Sequence, residues 1–169
     1  GANGALEREN DEFNPVGRKL AQLSFLHPCI VKLLIIGTLL AVRDDVLTIG
    51  AALCVKPILR LPDEEERTQA TAMHRKLSVD SFSDHYSVLC AYHNWIKARE
   101  ESGEAGGTEY ASAHFLSEAN LQALHCIRPM LAEGLAATGI VALPAATAAR
   151  REELRSGSHR MGHLLRAAI

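Results

Sequence analysis

Apolar residues recur at helical spacing along most of the chain, and no sheet-like alternation of any length appears. Residues 4–14 read as a short strand, a polar turn from Glu7 to Glu12 and a second short strand. Asn14-Pro15 then opens a helix, since Asn caps well and Pro is tolerated in a first turn. Its apolar face is Val16, Leu20 and Leu23, with Arg18, Lys19 and Gln22 opposite. His27-Pro28 starts a second helix carrying Ile30, Leu33, Leu34 and Ile36 toward Leu40. Asp44-Asp45 caps a third, from Val46 to about Val55, which Pro57 and Pro62 end.

The stretch 60–72 is charged and reads as a connection or the polar start of a helix. Ser83-Asp84 caps a helix from His85 to Arg99 whose inward face is Val88, Leu89, Tyr92, Trp95 and Ile96. Residues 102–108 carry three glycines and read as a flexible loop. Helical segments over 109–117 and 118–138 follow, with Gly139 as C-cap. Residues 144–158 form an Ala-, Arg- and Glu-rich linker or exposed helix, and 159–169 one more amphipathic start. The pattern thus predicts a mainly α protein with a small β-hairpin near its start. A hairpin beside three helices is compatible with a winged helix, and the remainder with a helical bundle.

Composition narrows the functional classes. Of the 169 residues 47% are hydrophobic but only 5% aromatic, so the core rests on aliphatic side chains. A formal charge of −2 excludes the broad basic footprint of an autonomous nucleic-acid binder and confines any RNA contact to local patches. It argues equally against a free-standing winged-helix DNA binder. Cys29, Cys54, Cys90 and Cys126 show no paired spacing and each lies in an apolar run, which predicts reduced, buried thiols in an intracellular protein. The longest apolar run, Leu33 to Val42, is far short of the ~20 residues that span a bilayer.

Catalytic chemistry is not visible in the residues. Gly103, Gly106 and Gly107 lack the Lys and the preceding strand that a phosphate-binding loop needs. His159 and His163 share a helix face at metal-ligand spacing, but no third ligand stands at a matching offset, so they read as surface residues. Ser81 and Ser83 near His85 lack a nucleophile elbow, and a helix cap accounts for Ser83-Asp84 better. Asp63 to Glu66 is a solvated acidic face. Trp95, Tyr92 and Phe115 are assigned to the core rather than to base stacking. The tail is basic, with Arg150, Arg151, Arg155, Arg160 and Arg166 against Glu152 and Glu153, which fits either phosphate contact or a solvated helix exterior.

Several ordered stretches resemble the helicase-associated region of DEAH-box RNA helicases, the group that includes the RNA helicase A-like proteins. They are NPVGRKLAQLSFLHPCIVKLLIIG (14–37), preceded by Gly4-Ala5-Leu6, then RDDVLTIGAALCVKPIL (43–59), FSDHYSVLCAYHNWIKA (82–98) and HFLSEANLQALHCIRPMLAEGLAATGIV (114–141), and finally LLRAAI (164–169). The resemblance implies a winged-helix part over 1–60 and a ratchet-like helical bundle over 61–143. Residues 144–169 would then lead toward an OB-fold absent from this chain. It implies a parent that is an ATP-dependent 3′-to-5′ RNA helicase whose RecA-like lobes, with ATP and Mg, lie elsewhere. This region would itself hold no cofactor or metal, and would help hold single-stranded RNA and dock a protein activator, with no membrane role. A non-enzymatic scaffold derived from a helicase is the rival.

On this resemblance the 109–138 segment faces the strand, and His114, Asn120 and Arg128 are candidate RNA contacts, with Arg150 and Arg151 in the tail. Surface or packing roles are the alternative for the first three. The chain departs from the family pattern at Ser24, Val42, His114 and Met130, and it places Pro129 inside an expected helix. A proline there costs about 3 kcal/mol or kinks the helix.

Overall fold

The computed structural model describes residues 23–78 and 83–140. The expected hairpin over 4–14, the helix opened by Asn14-Pro15, the tail from 144 and the His159/His163 pair all lie outside the described residues. Within them the chain is mainly helical, with helices α1 (Pro28–Leu39), α2 (Arg43–Leu53), α3 (Glu64–Leu77), α4 (Asp84–Ala113) and α5 (Glu118–Ala137).

Helix α1 is apolar nearly all round, so it is a core element rather than a surface one. His27 caps it by accepting the Cys29 N–H at 3.3 Å, and Pro28 supplies a residue that has no N–H to satisfy. Helix α2 runs antiparallel to α1. Gly37 lies so close to Val46 that an added methyl would sit 2.3 Å from its Cγ1, and Gly50 packs on Leu34 and Ile30. Gly37 on α1 and Gly50 on α2 therefore bring the two axes together. The helix begins earlier than expected, at Arg43, because Val42 takes the cap position and Asp44-Asp45 fall in the first turn, where acids favour the positive end of the dipole.

The charged stretch 60–72 resolves into the extended segment 58–63 followed by α3. Glu64, Glu65 and Glu66 open this helix and His74, Arg75 and Lys76 close it, in agreement with its dipole. Only Ala70 and Leu77 are buried, so the apolar signal that would have marked the helix is faint.

The flexible loop expected over 102–108 is not observed. Helical structure continues to Ala113, broken at one residue, Gly103, with φ 69° and ψ −162°. Along a straight helix Trp95 and Gly107 would stand about 18 Å apart. Instead a Cβ on Gly107 would lie 3.1 Å from Trp95 Nε1 and 2.4 Å from Arg99 Cγ. The chain doubles back at Gly103, and Gly106 and Gly107 let the second arm press against the first.

Helix α5 packs on α2 and α4, with Leu121, Leu124, Leu131 and Leu135 on its buried face. It continues through Pro129, which is exposed as are its neighbours Met130 and Cys126. The carbonyl that the proline leaves without a helical partner belongs to exposed His125, on the side of the helix open to water. Ser117 caps α5 by accepting the Asn120 N–H, and Gly139 closes the far end with φ +67°. An isolated antiparallel bridge joins Leu59 to Leu116, with Arg60 N–H donating to the Phe115 carbonyl and Ser117 N–H to that of Ile58, each at 2.8 Å.

The thiols are free, as expected, but not buried. Cys29, Cys54 and Cys126 are exposed and Cys90 is half-buried. The apolar runs that contain them are longer than the stripe each helix buries, so a residue within a run still reaches the solvent side. Burial pushes the Cys90 thiol up from its ordinary range.

Candidate functional site

The candidate contact residues on α5 and its approach are all engaged inside the fold. His114 ends α4, donates from Nδ1 to the Tyr110 carbonyl at 2.8 Å and stacks on the Tyr110 ring at 4.0 Å. Asn120, in the first turn of α5, donates from Nδ2 to the Pro57 carbonyl at 2.8 Å and so ties α5 to the end of α2. Arg128 donates from Nε to Thr48 Oγ1 at 3.1 Å and lies 3.6 Å from the Asp44 carboxylate. The three occupy separate junctions and do not converge on one pocket. Arg150 and Arg151 lie outside the described residues.

A cluster not anticipated from the sequence sits between α4 and α5. Trp95 is fully buried and donates from Nε1 to Glu118 Oε2 at 2.9 Å. The Arg99 guanidinium covers the indole ring at 4.7 Å and pairs with Glu104 across the Gly103 break at 3.3 Å. Tyr92, 4% exposed, shares a 2.7 Å hydrogen bond with His125 Nδ1. Partial burial holds the His125 imidazole below its ordinary range, and the Arg99 and Arg128 charges add to that effect. Trp95 and Arg99 are four apart on one helix, a spacing readable in the sequence, but their partners Glu118 and His125 are more than 20 residues away.

Two adjoining grooves follow α3. One, of about 430 Å³, lies between Leu59, Leu61, the last turns of α3 and the first turn of α4. The other, of about 620 Å³, runs along α3 from Glu64 to Arg75. Nothing among the described residues groups three or more His, Cys, Asp or Glu side chains to hold a metal, and none of their helices is long and apolar enough to cross a membrane.

Comparison with known proteins finds no matching family model. The ATP-dependent DNA/RNA helicase DHX36 of Bos taurus is 36% identical over 137 residues, which is 81% of this chain and 13% of that protein, and the human DHX36 matches over the same spans. The human ATP-dependent RNA helicase DHX29 is 30% identical over 80% of the chain and 10% of its own length. The Arabidopsis thaliana DExH-box ATP-dependent RNA helicase DExH3 is 30% identical over 74% and 10%. The chain thus spans roughly an eighth of the first of these relatives. It belongs with the DEAH/DExH-box RNA helicases, as a divergent counterpart of one short segment of them.

Proposed function

We propose that this chain is an accessory region of an ATP-dependent 3′-to-5′ RNA helicase, which holds single-stranded RNA against the ATPase lobes and offers a surface to regulators. The observation that carries the reading is the 36% identity to DHX36 across 81% of the chain. In this reading residues 1–60 form a winged-helix part, 61–143 a ratchet-like bundle, and 144–169 lead onward to an OB-fold. In this reading ATP and Mg belong to the RecA-like lobes of the whole enzyme, and RNA is that enzyme's partner.

The proposed RNA contacts are His114, Asn120, Arg128, Arg150 and Arg151. For the first three this means a double duty, because Arg128 already fastens α5 to α2, Asn120 fastens it to the segment after α2, and His114 is held on Tyr110 within α4. Such fastening suits a rigid part that transmits lobe motion to a held strand. The non-enzymatic scaffold has no particular observation in its favour.

The test is ATP turnover by the purified 169-residue chain with Mg and an RNA oligonucleotide. The accessory reading expects no turnover and only weak RNA affinity. Turnover by the pure chain would contradict it.

A further inference from the structure

Arg75-Lys76-Leu77-Ser78 places basic residues three and two positions ahead of a serine, and no other serine or threonine of the chain has basic residues at both places. Protein kinases of the basic-directed class choose substrates by that charge pattern, through acidic groups that pair with the two cations. Arg75 and Lys76 are exposed on the last turn of α3, so both charges are open to such a partner. The hydroxyl is not. Ser78 takes the C-cap position of α3, is 8% exposed and donates from Oγ to the Arg75 carbonyl at 2.7 Å. Its N–H is shared between the His74 and Arg75 carbonyls, at 3.3 and 3.1 Å.

A kinase that takes these four residues in extended form therefore has to unwind the last turn of α3. Little resists this. The helix buries only Ala70 and Leu77, and of the two only Leu77 lies in the turn that opens. Helix ends with few buried contacts are where a fold opens locally.

A phosphate on Ser78 also opposes rewinding. The hydroxyl proton that satisfied the Arg75 carbonyl is gone, and about −1.5 to −2 charges stand at the negative end of the α3 dipole. The wound position is largely withdrawn from water, beside the groove of about 430 Å³ that Asp84 also lines. Attraction to Arg75 and Lys76 does not offset these effects, because it is local in sequence and equally available once the turn has opened.

We propose that Ser78 is a phosphorylation site for a basic-directed serine kinase, and that its phosphate holds the last turn of α3 unwound. In the transfer, Ser78 Oγ bonds to the γ-phosphorus of ATP as the bond from that phosphorus to the ADP oxygen breaks, and the hydroxyl proton goes to the kinase's base. Opening withdraws Leu77 from the core cluster and takes Arg75 and Ser78 away from the groove between α3 and α4. This switch is independent of the RNA-holding reading.

The test incubates the folded 169-residue chain with Mg–ATP and the catalytic subunit of cyclic-AMP-dependent protein kinase, and maps the product by mass spectrometry. One phosphate on Ser78 is expected, and none there in Ser78→Ala. Arg75→Ala with Lys76→Ala should slow labelling by roughly tenfold or more. Leu77→Ala, shown to be folded by circular dichroism, loosens the turn and should be labelled faster than the parent chain. In hydrogen exchange, the phosphorylated chain should lose protection over about four residues at the end of α3 while α5 keeps its own.

No labelling of Ser78 in the folded chain overturns the site, whether or not other residues are labelled. An unchanged rate in the double variant overturns recognition by the basic pair. Phosphorylated Ser78 with the protection of α3 intact overturns the unwinding. A Leu77→Ala chain labelled no faster than the parent shows that no buried turn gates the serine, and overturns the unwinding as well.

Discussion

Gly103 adopts φ 69° and ψ −162°, a region that only glycine enters without strain, and no heavy atom stands within 4 Å of the place a Cβ would take. Gly103→Ala therefore isolates a backbone effect, and we expect a loss of roughly 1–3 kcal/mol in urea unfolding. Pro129 offers the opposite case. It interrupts the hydrogen-bond ladder of α5 on the solvent side, so Pro129→Ala should raise the melting temperature, with a gain of up to about 3 kcal/mol. His125 gives the pH dependence. Burial lowers its folded pKa, so the protonated ring is disfavoured in the native state. The unfolded chain then binds the proton more readily, and stability is full above the unfolded pKa of about 6.5 and falls as pH drops through the folded value. Unfolding measured between pH 7.5 and pH 5, values chosen to bracket about 6.5, should show this decline, and His125→Gln should flatten it.

Among the elements, α1, α2 and α5 were readable in the sequence because each buries a stripe at helical spacing: Ile30, Leu33 and Leu34; Val46 and Ile49; Leu121, Leu124, Leu131 and Leu135. α3 was half-hidden, because a helix that buries only Ala70 and Leu77 has too little apolar content to declare itself. The second arm of α4 read as a loop because Gly103, Gly106 and Gly107 look like linker residues. One of them makes the turn and the other two make room for Trp95, Arg99 and Ala98, a distinction that exists only once the arms meet. The core role of Trp95 followed from its spacing. We expect Trp95→Ala to cost about 3–5 kcal/mol, read as lost cooperative unfolding, since it removes a fully buried ring and the donor to Glu118 Oε2. Arg128→Ala should cost about 1 kcal/mol, because it removes a half-buried hydrogen bond to Thr48, while the ion pair to exposed Asp44 adds little.

At the scale of the whole molecule, the residues alone pointed to a helical module without catalytic groups, and the ordered stretches pointed to a family. The site was less legible. His114, Asn120 and Arg128 were picked from one segment of sequence, but their hydrogen bonds run to Tyr110, Pro57 and Thr48, and two of these partners are more than 60 residues distant. The groove of about 430 Å³ beside α3 likewise draws on α3, the start of α4 and the 59–61 segment, and no single stretch of sequence announces it. The central claim is that this bundle does for a helicase what the matching segment does in its relatives. Its most direct test is a human DHX36 in which the described region, residues 23–140, replaces the corresponding segment. The quantity to measure is the stimulation of ATP turnover by single-stranded RNA. The account predicts that the folded chimera retains stimulation, whereas a folded chimera whose turnover ignores RNA would contradict it.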